Sequence, residues 1–346
     1  MAGGSSGTII DKDPNDTTSK EYLILMTMPK NIFRPLIFAA LSLLLTLPLA
    51  GQGKTPSMTR EQYISRYNTL VKNLGPAGVG IETLLDKWDK DYPDDCDQMV
   101  ARFAYYFSKS TSSSVEKKDR KTFLGGEPLL TMQDSLGNPV YYFEEMFYDD
   151  ELFGQSLSVL DKAIGLFPDK LDLRFEKINA LSSYEKENPE MAVSELSTLI
   201  DYFYTQHPTW TYPDVEKVDA SFFASAIQAY CVSFYRNASP TSYEAFRSLS
   251  RKMVTYEPKN VLFLDNLATY DFVVKGDNKS ALKQYDKVLK IKKDDQTAIK
   301  NCILVCRKDK NTKLEKKYLE MMVKYGATDQ EKTSAQLRLD FLNGKR

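Results

Sequence analysis

From residue 58 onward, apolar residues recur at intervals of three and four, the spacing that lines one side of an α-helix, and Gly, Pro, Asn and Asp break the pattern at short intervals. The pattern predicts a succession of amphipathic helices paired as hairpins. It is clearest around residues 257–293. There Leu264, Leu267, Ala268 and Phe272 form one stripe, Gly276 and Asp277 a turn, and Ala281, Tyr285, Val288 and Leu289 the answering stripe. Comparable pieces recur: Leu160 and Ala163 before Pro168; Ala180, Ala192, Leu196 and Leu199 around Asn188 and Pro189; Ala245 and Leu249 before Pro258; and the run from Ile81 to Pro93. One segment, 111–144, breaks the period. Its short runs Leu129 to Gln133 and Val140 to Phe143 flank Asp134 and Gly137, which predicts a β-hairpin near 129–143, with an irregular loop as the alternative. A second irregular stretch, Thr205 to Asp219, carries Trp210 and two prolines.

The 257–293 unit resembles a tetratricopeptide repeat. Leu267, Ala268, Ala281 and Tyr285 stand where that family places its Leu, small and aromatic residues. The departures are Leu264 in place of Trp, one extra residue in the first helix, and Lys293 where Pro closes the unit. The resemblance implies an all-α fold, an α-solenoid of helical hairpins with the small β-hairpin inserted. The expected organisation is N-terminal hairpins over 52–110, the insertion over 111–144, repeats over 145–326, and a capping helix over 327–346 with a polar outer surface.

Residues 28–51 change where this array is expected to work. Lys30 and Arg34 precede an apolar run from Leu36 to Leu49, with Ala50 and Gly51 following, which reads as a secretory signal. The run is shorter than the ~20 residues that span a bilayer, so no stable membrane insertion is expected after cleavage, and the expected location is periplasmic or secreted. Residues 1–27, polar and without helical period, read as a disordered or mis-assigned extension. A net charge of −1 argues against nucleic acid as a partner.

Candidate chemistry is sparse. The one histidine, His207, precedes Pro208 and has no nucleophile motif to serve, and the stretch from Leu74 to Gly80 lacks the Lys and Ser or Thr of a phosphate-binding loop. Cys302 and Cys306 have no further His or Cys nearby, so the four cysteines read as small buried thiols, and neither a metal nor another cofactor is expected. Paired acids such as Asp149 with Glu151, or Asp94 with Asp97, read as helix-start residues rather than a catalytic pair, and no enzyme is expected.

The resemblance further implies a groove lined by the first helix of each hairpin. The residues that periodicity puts there are Arg174, Lys177 and Tyr184; Asp265, Thr269 and Phe272; and Lys300, Leu304 and Arg307. Their cations and aromatics suit an acidic or C-terminal peptide, so the expected function is a protein-docking scaffold in the cell envelope. The alternative is glycan binding on exposed aromatics such as Trp88 and Trp210, and behind it a carboxylate-dependent hydrolase.

Overall fold

Most helix starts among the described residues coincide with side chains that accept a backbone N–H. Thr59 and Gln62 form a reciprocal capping box at helix α1 (Arg60–Leu74). Gly80, with positive φ, precedes α2 (Ile81–Asp91), and Asp95 caps α3 (Cys96–Ser110). Asp149 caps α4 (Asp150–Leu166), which is followed by α5 (Leu171–Tyr184), α6 (Glu190–Gln206), α7 (Ala220–Asn237) and α8 (Pro240–Tyr256). Asn260, Asp277, Asp295 and Asn311 then cap α9 (Val261–Val273), α10 (Asn278–Ile291), α11 (Gln296–Lys308) and α12 (Thr312–Tyr325) in turn. A second capping box, Thr328 with Glu331, opens α13 (Asp329–Leu342). The computed structural model describes residues 56–344; the expected extension at 1–27 and export signal at 28–51 lie outside the described residues.

The described chain is thus mostly helical, as the apolar spacing predicts, with one small antiparallel sheet between α3 and α4. Strands β1 (Thr111–Lys118), β2 (Leu130–Gln133) and β3 (Pro139–Tyr148) lie in the order β1-β3-β2. The expected hairpin is β2–β3, closed at Gly137 (φ 82°) with the Asp134 carboxylate accepting the amides of Leu136 and Asn138. Strand β1 was not visible in the periodicity, because TSSSVEKK has a single apolar residue and no alternation. Its conformation comes from pairing along β3, from Thr111 opposite Tyr148 to Lys118 opposite Tyr141. The amide of Asp149 donates to the Ser110 carbonyl at 2.8 Å, which ties the two ends of the insertion so that α3 and α4 pack directly on each other.

Two compact units divide the described residues, 56–227 with 237–245, and 228–236 with 246–344. In the first, Trp88 stacks on Tyr63 at 5.6 Å, within a core that includes Ile81, Leu85 and Tyr105. Leu160 and Ala163 of α4 and Ala192 and Leu196 of α6 are also fully buried there. In the second, α9 to α13 each pack on the next around Ala268, Phe272, Ala281, Tyr285, Cys302 and Tyr318. The last helix, α13, is not polar all round its outer side, since Leu337 and Phe341 are 66% and 70% exposed. All four cysteines are free thiols, three of them buried. No helix among the described residues is long and apolar enough to cross a membrane.

Candidate functional site

Helix α5 is apolar on two sides, which leaves it two narrow polar strips. Leu171, Phe175 and Ile178 are buried on one side and Leu173 and Ala180 on the other. Between them, at spacings of four, three and four, stand Asp172, Glu176, Asn179 and Ser183, one line along the helix. Asp172 begins that line in the first turn, where its Oδ1 is buried without a hydrogen-bond partner. Burial pushes the Asp172 carboxyl above the ordinary range, with Lys170 and the helix-start amides pulling the other way. Burial likewise raises Glu176, against a hydrogen bond with Asn179, and Asp172 adds to the rise. Neither carboxylate has an ion-pair partner within the described residues.

The surroundings of this strip are held by identifiable contacts. The irregular stretch before α7 is pinned to the start of α5, because the Thr211 amide donates to the Asp169 carbonyl at 2.8 Å and the Leu171 amide to the Thr211 carbonyl at 3.1 Å. That pins Tyr212, whose ring lies edge-on to Phe175 at 6.1 Å and 5.1 Å from Phe222. Burial raises the Tyr212 hydroxyl, and the charges of Asp172 and Glu176 raise it further. At the other flank stand Cys96 and Asp97 in the first turn of α3. Burial pushes the Cys96 thiol up to about 11, Lys170 opposes this, and Asp97 and Asp172 reinforce it. Asp97 is raised by burial even though Arg60 hydrogen-bonds to it. At the far end Tyr148 is raised by burial while bonding with Ser183. The site is therefore a half-buried strip of carboxyl groups edged by Tyr212, Tyr148 and a protonated thiol.

The groove residues expected from periodicity occupy other positions. Lys177 is enclosed by two carboxylates, Asp161 of α4 at 2.8 Å and Glu195 of α6 at 2.7 Å. Arg174 lies over the rings of Tyr202 and Trp210, 5.8 Å from each. Tyr184 stacks on Phe153 at 4.1 Å and donates to Asp150 at 2.7 Å. Asp265, Thr269 and Phe272 are buried, and Thr269 shares a hydrogen bond of 2.8 Å with the Tyr285 hydroxyl inside the core. Lys300 pairs with Glu331 at 2.6 Å, Leu304 is partly buried against the same core, and Arg307 bonds Glu315 at 2.9 Å. These side chains hold helices to one another. Trp88 and Trp210 are 1% and 5% exposed, so neither presents a ring face to solvent. His207 is exposed and closes α6 with a left-handed backbone (φ 49°).

The sequence did carry a signal for the strip that periodicity passed over. In LDLRFEKINALSSY both polar lines are legible, one through Arg174, Lys177 and Tyr184 and one through Asp172, Glu176, Asn179 and Ser183. Choosing between them requires knowing which side meets α4 and α6, and the acids Asp161 and Glu195 opposite Lys177 decide it. Among the described residues no group of three or more His, Cys, Asp and Glu side chains is placed to hold a metal ion. No model of a known protein family matches the chain, and no curated protein matches it.

Proposed function

We propose that this chain is an exported helical-repeat protein of the tetratricopeptide type that docks another protein, and that the polar strip of α5 is its docking surface. The observation that carries the reading is electrostatic. The cations Lys177, Lys300 and Arg307 are each engaged with carboxylates of the same chain, whereas Asp172 and Glu176 are half-buried with no ion-pair partner among the described residues, and Asp172 Oδ1 has no hydrogen bond either. Such carboxylates gain most from an incoming Lys or Arg, which offsets the cost of burying their charge and supplies a charge-assisted hydrogen bond. Tyr212 beside them offers a ring for the same cation. The partner chemistry this favours is a basic segment, the reverse of the acidic peptide expected from the sequence.

The repeat reading is supported by Ala268 and Ala281, both fully buried where α9 and α10 meet, and by Tyr285, which bonds Thr269 of α9 and Asn301 of α11. Small residues at a crossing and one aromatic filling the gap to the next helix are what that repeat requires. Export rests on the signal-like stretch at 28–51. Two considerations rank docking above the alternatives. A glycan platform needs open aromatic faces, and both tryptophans are covered. An acid–base hydrolase needs its two carboxyl groups pushed apart in acidity, whereas burial moves Asp172 and Glu176 in the same direction.

The test is fluorescence anisotropy with labelled peptides of equal length that are Lys/Arg-rich, Glu-rich or uncharged. The basic peptide is expected to bind with an affinity that falls as salt is added, and the double variant Asp172→Asn, Glu176→Gln to weaken it by about tenfold or more. Equal binding of all three peptides, or unchanged binding by the double variant, would refute the site.

A further inference from the structure

Asp265 is an acid placed where an ionised side chain has little to gain. It lies on α9, 5% exposed, and its Oδ1 is buried without a hydrogen-bond partner. Its carboxyl group meets the carboxyl group of Asp295, the residue that caps α11. Two ionised carboxylates repel and have no hydrogen to share, so a contact of this kind is bonded only when one of them carries a proton. Which one carries it follows from the other partners. Asp295 Oδ1 accepts the Ala298 amide at 3.1 Å and Asp295 Oδ2 accepts the Lys292 ammonium at 3.2 Å. Both are donors that favour a carboxylate. Asp295 thus already accepts from two donors while Asp265 Oδ1 has none, so the proton between the two belongs on Asp265.

We infer that Asp265 and Asp295 share one proton, forming a carboxylic acid–carboxylate latch that ties α9 to the first turn of α11 and opens as the solution becomes alkaline. The charged and titratable groups facing Asp265 are Asp295 at the start of α11, Lys292 in the turn after α10, and Tyr285 on α10. Burial is the largest influence and raises Asp265; the Asp295 charge adds to it, and Lys292 opposes it. The sign follows from linkage. An acid that is harder to ionise in the folded chain than in the unfolded one supports folding fully below its ordinary value of 3.8, and that support is lost as pH rises through the raised value. On opening, the proton passes to solvent and two like charges are left facing each other beneath the cap of α11.

The test uses the full chain in two measurements, thermal unfolding between pH 4 and pH 9 and infrared detection of the protonated carboxyl C=O stretch at neutral pH. Asp265→Asn keeps the shape and a donor but has no proton to lose. The expected result is that the wild-type melting temperature falls by roughly 4 °C relative to the variant across that range, and that the variant lacks one protonated-carboxyl band. An unchanged pH slope in D265N, or an unchanged band, overturns the latch. Should D265N fail to fold, Asp295→Asn decides the matter, because Asn still caps the helix while the like charge is gone. The band is then expected to titrate away at lower pH than in the wild type, and an unmoved midpoint overturns the latch.

Discussion

Single side chains in this protein are best read by what they would leave behind. Lys177 is the clearest case, since removing it strands two carboxylates, Asp161 and Glu195, on helices either side of α5. Those acids are 56% and 41% exposed, so water screens much of the loss. Lys177→Met is expected to cost about 1 kcal/mol and Lys177→Glu about 2 kcal/mol, read from urea midpoints. Loss of peptide binding by K177M with no change in stability would instead make Lys177 a contact residue. Cys96 makes a second prediction at this scale. Raising a thiol from 9.0 to about 11 cuts its thiolate at neutral pH by about a hundredfold. The stronger intrinsic nucleophilicity of a more basic thiolate returns part of that, leaving alkylation about tenfold slower than for a free cysteine. Mass spectrometry of iodoacetamide-treated native protein reads this directly, and a rate equal to that of free cysteine would show that the surrounding acids and burial do not act on it.

Helices are joined here by polar hubs as much as by apolar stripes. Glu315 of α12 accepts from Arg307 of α11 at 2.9 Å and from Arg338 of α13 at 2.9 and 3.3 Å, so one carboxylate fastens three helices. Its own burial pushes the carboxyl up, but the hydrogen bonds from Arg338 and Arg307 outweigh this and hold it below its ordinary value. The stability it contributes is present above that ordinary value of 4.5 and lost as pH falls through the lowered one. Glu315→Gln is expected to cost about 2 kcal/mol at neutral pH and to flatten the acid side of the melting curve, measured by circular dichroism. Elements were also the most legible scale in the sequence. Spacings of three and four mark the helices, and Gly276 with Asp277 ends one and starts the next as read. What was hidden is what periodicity does not encode. Strand β1 is a serine run made into a strand by its neighbour, and the two polar lines of α5 differ only in which helices they meet. Asp265 and Thr269 look like surface residues by spacing, and become interior ones because Tyr285, Asn301 and Asp295 supply polar partners inside.

At the scale of the chain, near-neutrality hides local imbalance. A net charge of −1 gives little long-range attraction for a basic partner, so recognition falls to the few carboxylates kept partly out of water. Keeping them there has a consequence that separates a binding site from a structural one. Asp172, Glu176 and Asp97 are each raised, first of all by burial, which means the unit that holds them would be more stable with those charges removed. A structural carboxylate such as Glu315 behaves in the opposite way, because its arginines reward the charge. Neutralising the strip with Asp172→Asn and Glu176→Gln is therefore expected to stabilise the free protein by about 1 kcal/mol at pH 7, with the gain shrinking toward pH 4 as the wild-type carboxyls take up protons themselves. The same double variant is expected to lose affinity for the basic peptide. Gain of stability with loss of binding is the signature of groups kept for a partner at a cost to the fold. Paired urea titrations and anisotropy measurements on one preparation test it. A double variant that is destabilised would place Asp172 and Glu176 with Glu315, as ties within the fold, and would remove the reason for taking the strip as the docking surface.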